Sequence, residues 1–546
     1  PVQVQDPVVR NQNLKGTIFN DASGNFQDID YLIISPPFLL QPALRLANLH
    51  KDRGLNVKVV TTDKIYEEFS SGQQDISAIR NFVRYIYDNA SSPANRIKYL
   101  GLFGDTSIDY KNRLTNNNNN VPCFHTYLST DTASSFMSDD FFGNLDPNEG
   151  TIGGRYIDEF GDLKTSINDD IDRLDIAVGR IVADNVLLAN QMVDKIVNYA
   201  SRSSYGNWRN NFILISDDVD AQFEYTDLQL NLDNIGDDIS ANKQFVNVKK
   251  IHSDAFLQET SAGGNRYPTV VKAIQNQTEV GALIINYFGH GGEDGLAKEF
   301  IYTKGVAENL RNPNNLPLIV TVTCEFTKFD DPERITAGEL TYWNPEGGAI
   351  SLITTTRSVF VSVGVIFNNE LAPELFGYGT DDILPPAEAT RRAKNNIDRN
   401  TRRVVFFVGD PALPLAFPKP SIKLTAINGA PVSGGAPVLQ ALSRVKLAGE
   451  VTDANGNLRS NYNGILEAKL FDKNVDRITL GNDGIRDNAN DIDGDGVPGN
   501  QDLLQMKFKT LGEGLFNGQA SIINGRFEFE FVVPRQIILG QPLVSL

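Results

Sequence analysis

From about residue 30 the chain alternates short β-branched or aromatic runs with stretches of helical period. "YLIIS" (31–35) leads into a helical pattern through "ALRLANLHKDRG", which Gly54 is placed to stop. "NVKVV" (56–60), a helix over 75–89 and "KYLGLFGD" (98–105) continue the series. "RLDIAVGR" (173–180) then precedes a helix expected over about 185–202. A second series opens at "NNFILISDD" (210–218) and runs through "VNVKKI", "ALIINYFGH", "LPLIVTVTC", "GGAISLITTTR" and "RRVVFFVGDP". Helical patterns separate nearly all of these. Strands bounded by helices predict parallel sheets with helices on both faces. The fold class expected is therefore α/β, as two consecutive parallel-sheet subdomains over 29–205 and 206–420, preceded by a linker or the end of another segment over 1–28.

Two regions break the pattern. Residues 112–151 are rich in Asn, Ser, Thr, Asp and Gly and lack helical period, and the five-Asn run 116–120 reads as an exposed, mobile loop. Beyond "FPKPSIKL" (417–424) the helical period disappears. Residues 421–546 alternate apolar and polar positions between Gly and Asn turns, the pattern of an immunoglobulin-like β-sandwich.

Composition narrows the function classes. A chain of 546 residues is too long for one core. Its 50 basic and 68 acidic residues leave a net charge of −18, which argues against a nucleic-acid partner or a polybasic contact with an anionic leaflet. No run approaches the roughly 18 apolar residues of a membrane span. The sequence starts at Pro1 and stops inside the strand-like "FEFEFVVPRQIILGQPLVSL", so it reads as a piece of something longer, and missing targeting signals prove little. Two cysteines, Cys123 and Cys324, exclude a disulfide-stapled scaffold and a Cys-rich zinc site. One disulfide between them, or two free thiols, stay open.

The strand "ALIINYFGHGG" ends at His290-Gly291-Gly292, and "PLIVTVTCEF" ends at Thr323-Cys324-Glu325. Ligand and catalytic groups of parallel sheets gather beyond the carboxyl ends of strands. A lone cysteine at a strand end is usually a small hydrophobe, and a lone histidine before glycines is usually structural. Both at successive strand ends are harder to dismiss. An imidazole beside the thiol can take its proton and make a thiolate at neutral pH. Glycines after His290 let a substrate backbone approach, and the Gly291 and Cys324 amides could then face the oxyanion of a tetrahedral intermediate. A third group should orient the imidazole. "ISDDVD" (215–220) ends another strand, so Asp217 and Asp218 are candidates, with Asp218 preferred; Glu293 and Asp294 are expected to face solvent. Cys123 and His125, in "VPCFHTY", have no glycine platform and read as structural, and His50 and His252 give no signal.

A further constellation is "DIDGDGVPGNQD" (491–502). Asp491, Asp493 and Asp495 stand at positions one, three and five, Gly496 at six, Val497 with its carbonyl at seven, and Asp502 at twelve. This follows the EF-hand spacing with Asp in place of the bidentate Glu, and carboxylates this close repel one another unless a cation neutralises them. The expectation is a structural Ca2+, against an acidic surface turn.

"NYFGHGGEDGLAKE" and "VTVTCEFTKFDDP" together resemble the gingipain-type (C25) cysteine peptidases of the caspase-like clan, with further support from "LGLFGDTSIDYKNR", "MSDDFFGNLD", "LDIAVGRI", "FFVGDPALPL" and "NGRFEFEFVVP". These stretches are most similar to the sortase branch, the C-terminal signal peptidases of the Bacteroidetes type IX secretion system. The resemblance implies a caspase/gingipain-like pair of α/β subdomains followed by an immunoglobulin-like domain. It implies His290 as general base and acid, Cys324 as nucleophile, and the Gly291 and Cys324 amides as oxyanion hole. The family's orienting acid follows the strand matching "FILISDD", favouring Asp217 or Asp218, and its specificity Asp falls near Asp227. The implied job is removal of the C-terminal sorting domain from type IX cargo at the outer-membrane surface. A thioester on Cys324 would pass the cargo to water or to an amine of an anionic lipopolysaccharide, with the enzyme held by the outer-membrane β-barrel PorV. A secreted gingipain-like endopeptidase and a calcium-stabilised surface scaffold are the competing readings.

Overall fold

The computed structural model describes residues 13–126, 135–150, 152, 155–157, 163–165, 172–380, 382–398, 402–418, 421–432, 439–453, 455–487 and 502–535. The chain divides into two compact units, one of Pro1–Tyr205 with Glu259–Leu415, the other of Gly206–Gln258 with Ala416–Leu546. In chain order the strands used below are β1 (Tyr31–Ser35), β2 (Val57–Thr61), β3 (Tyr99–Phe103), β4 (Ala177–Ile181), β5 (Asn211–Ser216), β6 (Asn247–His252), β7 (Ile284–Phe288) and β8 (Leu318–Thr321). They continue with β9 (Ser351–Thr355), β10 (Val405–Val408), β11 (Ile422–Ile427), β12 (Arg444–Val451), β13 (Gly464–Phe471), β14 (Gly514–Ile523) and β15 (Arg526–Val532). The helices are α1 (Leu40–Lys51), α2 (Ile76–Asp88), α3 (Val186–Tyr199), α4 (Ala337–Trp343) and α5 (Val361–Phe376).

In the first unit eight strands lie in the order β7-β8-β9-β10-β4-β3-β1-β2. All neighbours are parallel except β9 and β10. That single reversal sends β7, β8 and β9 to end at one edge and β1 to β4 with β10 at the other. The two strand series expected from the sequence are continuous here, joined where Val408 of β10 bridges Arg180 of β4. Every residue of β1, β7, β8, β9 and β10 is buried, as in parallel strands covered on both faces. Helices begin where polar caps permit. Asp75 accepts from the Ser77 amide to open α2, and Asn185 from the Leu188 amide to open α3. Gly54, three residues past α1, has φ +93°, a left-handed conformation suited to glycine at a helix exit. On α2 the spacing of Ile79, Phe82, Val83 and Ile86 puts all four in the core, each contributing roughly 1.5–3 kcal/mol.

The region expected to be a mobile loop is tethered instead. Asn116 donates to the Pro332 carbonyl at 2.6 Å, Asn117 to the Asp109 carbonyl at 3.0 Å and Asn118 to buried Asp105 at 2.6 Å. Further on, Phe136, Met137, Phe142 and Leu145 are buried, and Phe124–His125 pairs with Met137–Ser138. Polar composition concealed side chains that hydrogen-bond inward.

In the second unit β5 and β6 pair in parallel. An antiparallel sheet of six strands, in which β11, β12, β15, β14 and β13 follow one another, stands where the β-sandwich is expected. The alternation in β12 buries Val445 and Leu447 against Leu470, Leu515 and Phe531. Residues 206–258 join this unit through particular contacts. Asp254 accepts the amides of Gly481 at 3.1 Å and Asn482 at 2.8 Å, and the His252 ring meets Phe508 edge-on at 4.7 Å. Of the expected calcium ligands, Asp491, Asp493, Asp495 and Val497 lie outside the described residues, and Asp502 is described only as backbone of a two-residue strand.

Candidate active site

β7 and β8 pair in register from Ile284 opposite Leu318 to Tyr287 opposite Thr321. His290 and Cys324 each stand three residues past those last partners, so the same alignment carries them to matching positions on strands about 4.8 Å apart. The alignment persists beyond the strands: the Thr323 hydroxyl donates to the Gly289 carbonyl at 2.7 Å. Here a side chain carries the pairing on past the last backbone partners. The His290 carbonyl is fixed by the Ala297 amide at 2.8 Å and by the buried Tyr287 hydroxyl at 2.5 Å. A Cβ on Gly291 would meet Thr323 Cγ2 and Oγ1 at 2.7 Å, so only glycine lets the histidine loop pass this close to the cysteine strand.

Cys324 is half-buried. Its Sγ contacts Val359, accepting from the amide at 3.4 Å and donating to the carbonyl at 3.5 Å. Burial pushes the thiol above its ordinary range, the Val359 amide draws it back, and the charge of Glu325 pushes it up again. Glu325 itself has φ +52°, left-handed for a non-glycine residue directly after the candidate nucleophile. Its amide donates to the Arg357 carbonyl at 3.3 Å, and the Thr327 amide donates to the Thr355 carbonyl at 3.3 Å. The Thr355 hydroxyl donates to the Thr323 carbonyl.

The first turn of α4 serves both loops at once. The Ala337 amide donates to the Glu293 carbonyl and the Gly338 amide to the Phe326 carbonyl, each at 2.9 Å. Glu293, expected in solvent, is instead largely covered and paired with Lys328 at 2.7 Å and Arg334 at 2.6 Å. Asp294 is exposed and paired with Lys304 and Arg334. An open cavity of about 430 Å3 adjoins His290, lined further by Gly292, Asp294, Phe300, Glu325 and Arg334. This arrangement supplies a thiol, an imidazole, a glycine-lined approach and space for substrate.

Asp217 and Asp218 follow β5 in the second unit, and both are buried. Asp218 accepts from Gln258 at 3.3 Å, and Gln258 also donates to Asp483 at 3.2 Å. The carboxylates of Asp218, Asp220 and Asp483 approach within 4.8 Å of one another and form a trio able to hold a cation. Asp227 lies half-buried in a wide helical turn, Tyr225–Leu230. Among the other histidines, His50 is buried against Asp410 at 2.5 Å, and His252 against Ser216 at 2.8 Å and Asp233 at 3.1 Å. Cys123 is free and buried, and burial followed by the charge of Asp139 holds its thiol well above the ordinary range. No disulfide links it to Cys324.

Sequence reasoning missed Thr323, Val359 and the pair Arg357–Asp330. Only Thr323, a hydroxyl beside the cysteine at a strand end, offered a local signal.

The model of peptidase family C25 matches residues 25–416. A comparison with curated proteins finds no match. Among solved structures, the Arg-specific cysteine proteinase gingipain R (RgpB) is 15% identical, with a TM-score of 0.53 over 93% of this chain and 92% of that one. The complex of the pro- and mature domains of Porphyromonas gingivalis RgpB gives 14% identity and 0.53 over 93% of both chains. Dimeric latent PorU from Porphyromonas gingivalis is 19% identical, with a TM-score of 0.42 over 94% of this chain and 40% of that one. Gingipain R and this chain share a fold.

Proposed function

The chain belongs to peptidase family C25 and is a cysteine endopeptidase of gingipain-like fold, and from that premise we propose that it is an exported cell-surface sortase. It removes the C-terminal sorting domain of type IX cargo and passes the cargo to an amine of anionic lipopolysaccharide or to water. The observation that carries the catalytic part is the placement of His290 and Cys324 at matching positions beyond β7 and β8. The sortase branch is favoured by the motifs "NYFGHGGEDGLAKE" and "VTVTCEFTKFDDP".

The proton of Cys324 moves to His290 as sulfur attacks the scissile carbonyl carbon. The amides of Gly291 and Cys324 receive the oxyanion, and the family resemblance names Asp218, or Asp217 beside it, as the acid that would orient the imidazole. The carbon–nitrogen bond then breaks, His290 returns the proton to the leaving amine, and a thioester remains on Cys324. Water or an acceptor amine, deprotonated by His290, attacks that thioester and regenerates the thiol. The two outcomes differ only in which nucleophile arrives. The β-barrel PorV is the proposed anchor; among the described residues no helix is long and apolar enough to cross a membrane. Ca2+ on the 491–502 loop belongs to the same reading.

The test uses a fusion carrying a type IX sorting domain with a small amine present, followed by intact-mass spectrometry. Wild type should release the sorting domain and leave an amine adduct on the cargo, while Cys324→Ala and His290→Ala do neither. Release without adduct would leave a hydrolytic endopeptidase. Equal cleavage by wild type and variants would end the catalytic assignment.

A further inference from the structure

β7, β8 and β9 end at one edge of the sheet, and the third of these ends carries a charge that the mechanism above does not use. Arg357, two residues past β9, turns its guanidinium onto Asp330, at the far end of the loop that begins with Cys324. Nη1 lies 2.9 Å from Oδ1 and Nη2 2.5 Å from Oδ2, with a further bond from Nη1 to the Thr356 carbonyl at 2.8 Å. Asp330 is fully buried and Arg357 is 9% exposed. Two charges taken out of water add little net stability, because desolvation offsets their attraction. What such a fork adds is geometry: two parallel bonds fix distance and plane together.

That geometry bears on the thiol. Between the anchored ends, the Arg357 carbonyl holds the amide of left-handed Glu325. Two residues on, Val359 touches Cys324 Sγ through both its amide and its carbonyl. The 356–359 turn therefore sets where the Sγ atom sits and what it hydrogen-bonds, and the ion pair sets where that turn sits. We propose that Arg357 and Asp330 are positioning residues for Cys324, clamping the turn that carries Val359 against the nucleophile loop.

The clamp acts on reactivity through the Val359 amide, the one contact that pulls the thiol back toward its ordinary range against burial and Glu325. Of the charged groups, Glu325 on the thiol's own loop is the one whose field reaches it; Arg357 begins the turn that carries Val359, and His290 follows the neighbouring strand β7. His125 faces the clamp from the 124–125 strand, its Nδ1 4.0 Å from Asp330, and burial keeps that imidazole neutral. Loosening the clamp removes the amide and leaves the two opposing influences in place.

The inference rests on Cys324 being the reactive thiol, and the experiment separates the two. Iodoacetamide alkylation of Cys324 in the full chain is followed against pH by peptide mapping, with buried Cys123 as internal reference. The proteins are wild type, Arg357→Lys, Asp330→Asn and the paired Arg357→Met/Asp330→Leu. Where they fold, the single variants should alkylate several-fold more slowly at neutral pH, with the pH midpoint displaced upward, since the Val359 amide no longer offsets burial and Glu325. The paired variant leaves no unpartnered buried charge, so it stays folded even if a single variant unfolds, and it should keep the slow, displaced profile. Folded variants with the wild-type profile, or a paired variant recovering stability and profile together, would overturn the clamp. A wild-type Cys324 no more reactive than Cys123 would instead sink the nucleophile assignment.

Discussion

Gly291→Ala tests whether the His290 loop must pass this close to the cysteine strand. The added Cβ would lie 2.7 Å from Thr323 Cγ2 and Oγ1 and 3.3 Å from its Cβ. Thr323 has little room to yield, since its hydroxyl holds the Gly289 carbonyl at 2.7 Å and its own carbonyl takes the Thr355 hydroxyl. Overpacking costs about 1–3 kcal/mol, and a displaced Thr323 hydroxyl adds about 1 kcal/mol, so roughly 2–4 kcal/mol is expected. If the loop moves instead, a shift of ~1 Å between His290 and Cys324 lowers turnover by on the order of a hundredfold. Urea denaturation and turnover of the fusion, measured on the same preparations, read the two routes separately. Gly292→Ala is the control for stability, because a Cβ there meets nothing within 4 Å. Gly291→Ala/Thr323→Ala removes both nearest atoms and should regain most of the lost stability. Equal stability of Gly291→Ala and Gly292→Ala would refute the steric argument.

Three other outcomes are expected. Glu325→Gln removes a charge that opposes ionisation of Cys324, so alkylation at fixed pH speeds up and its midpoint moves down; an unchanged profile would place the Glu325 charge out of reach. Glu339, buried in the first turn of α4, has its carboxyl pushed by burial from 4.5 to about 8. The folded state therefore holds a proton that the unfolded state has released, and wild type loses stability relative to Glu339→Gln as pH rises from 4.5 to about 8 in chemical denaturation. At a hundredfold excess over its Kd, Ca2+ should stabilise the wild type by about 2.7 kcal/mol, and Asp493→Asn/Asp495→Asn should abolish the effect; a calcium-indifferent melting temperature would remove the metal from the 491–502 loop.

Local features were readable where their cause is local. Gly54 was readable as a helix stop because a left-handed exit needs only neighbouring residues, and the helices expected from 75 and from about 185 do start at local caps, Asp75 and Asn185. His290 and Cys324 stood out because an apolar run ending in a reactive group is visible within ten residues. What stayed hidden depends on which distant segments meet. Nothing in "RRVVFFVGDP" says that β10 runs against β9, since an apolar strand reads alike in either direction. Asp330 and Arg357 are 27 residues apart and look like ordinary loop charges until β8 and β9 bring their loops together. The grouping of 206–258 with the C-terminal strands follows likewise from Asp254 and His252, whose partners lie more than two hundred residues on.

The placement of His290 beside Cys324 depends on a register that hydrophobicity cannot set. A slip of one residue moves a strand by about 3.3 Å and turns each side chain to the other face. Strands buried on both faces would tolerate such a slip, because apolar groups lie on either side. The polar residues within them would not. Asn286 of β7 donates to Asn368 of α5 at 3.0 Å, and Thr321 of β8 meets Thr354 of β9 at 3.2 Å. Thr354 in turn meets Thr327 of the nucleophile loop at 2.8 Å. In a slipped sheet each of these buried groups would lose its partner, at about 1–3 kcal/mol apiece. The observed alignment keeps each of these bonds, and it is the alignment that carries His290 and Cys324 to matching positions past β7 and β8.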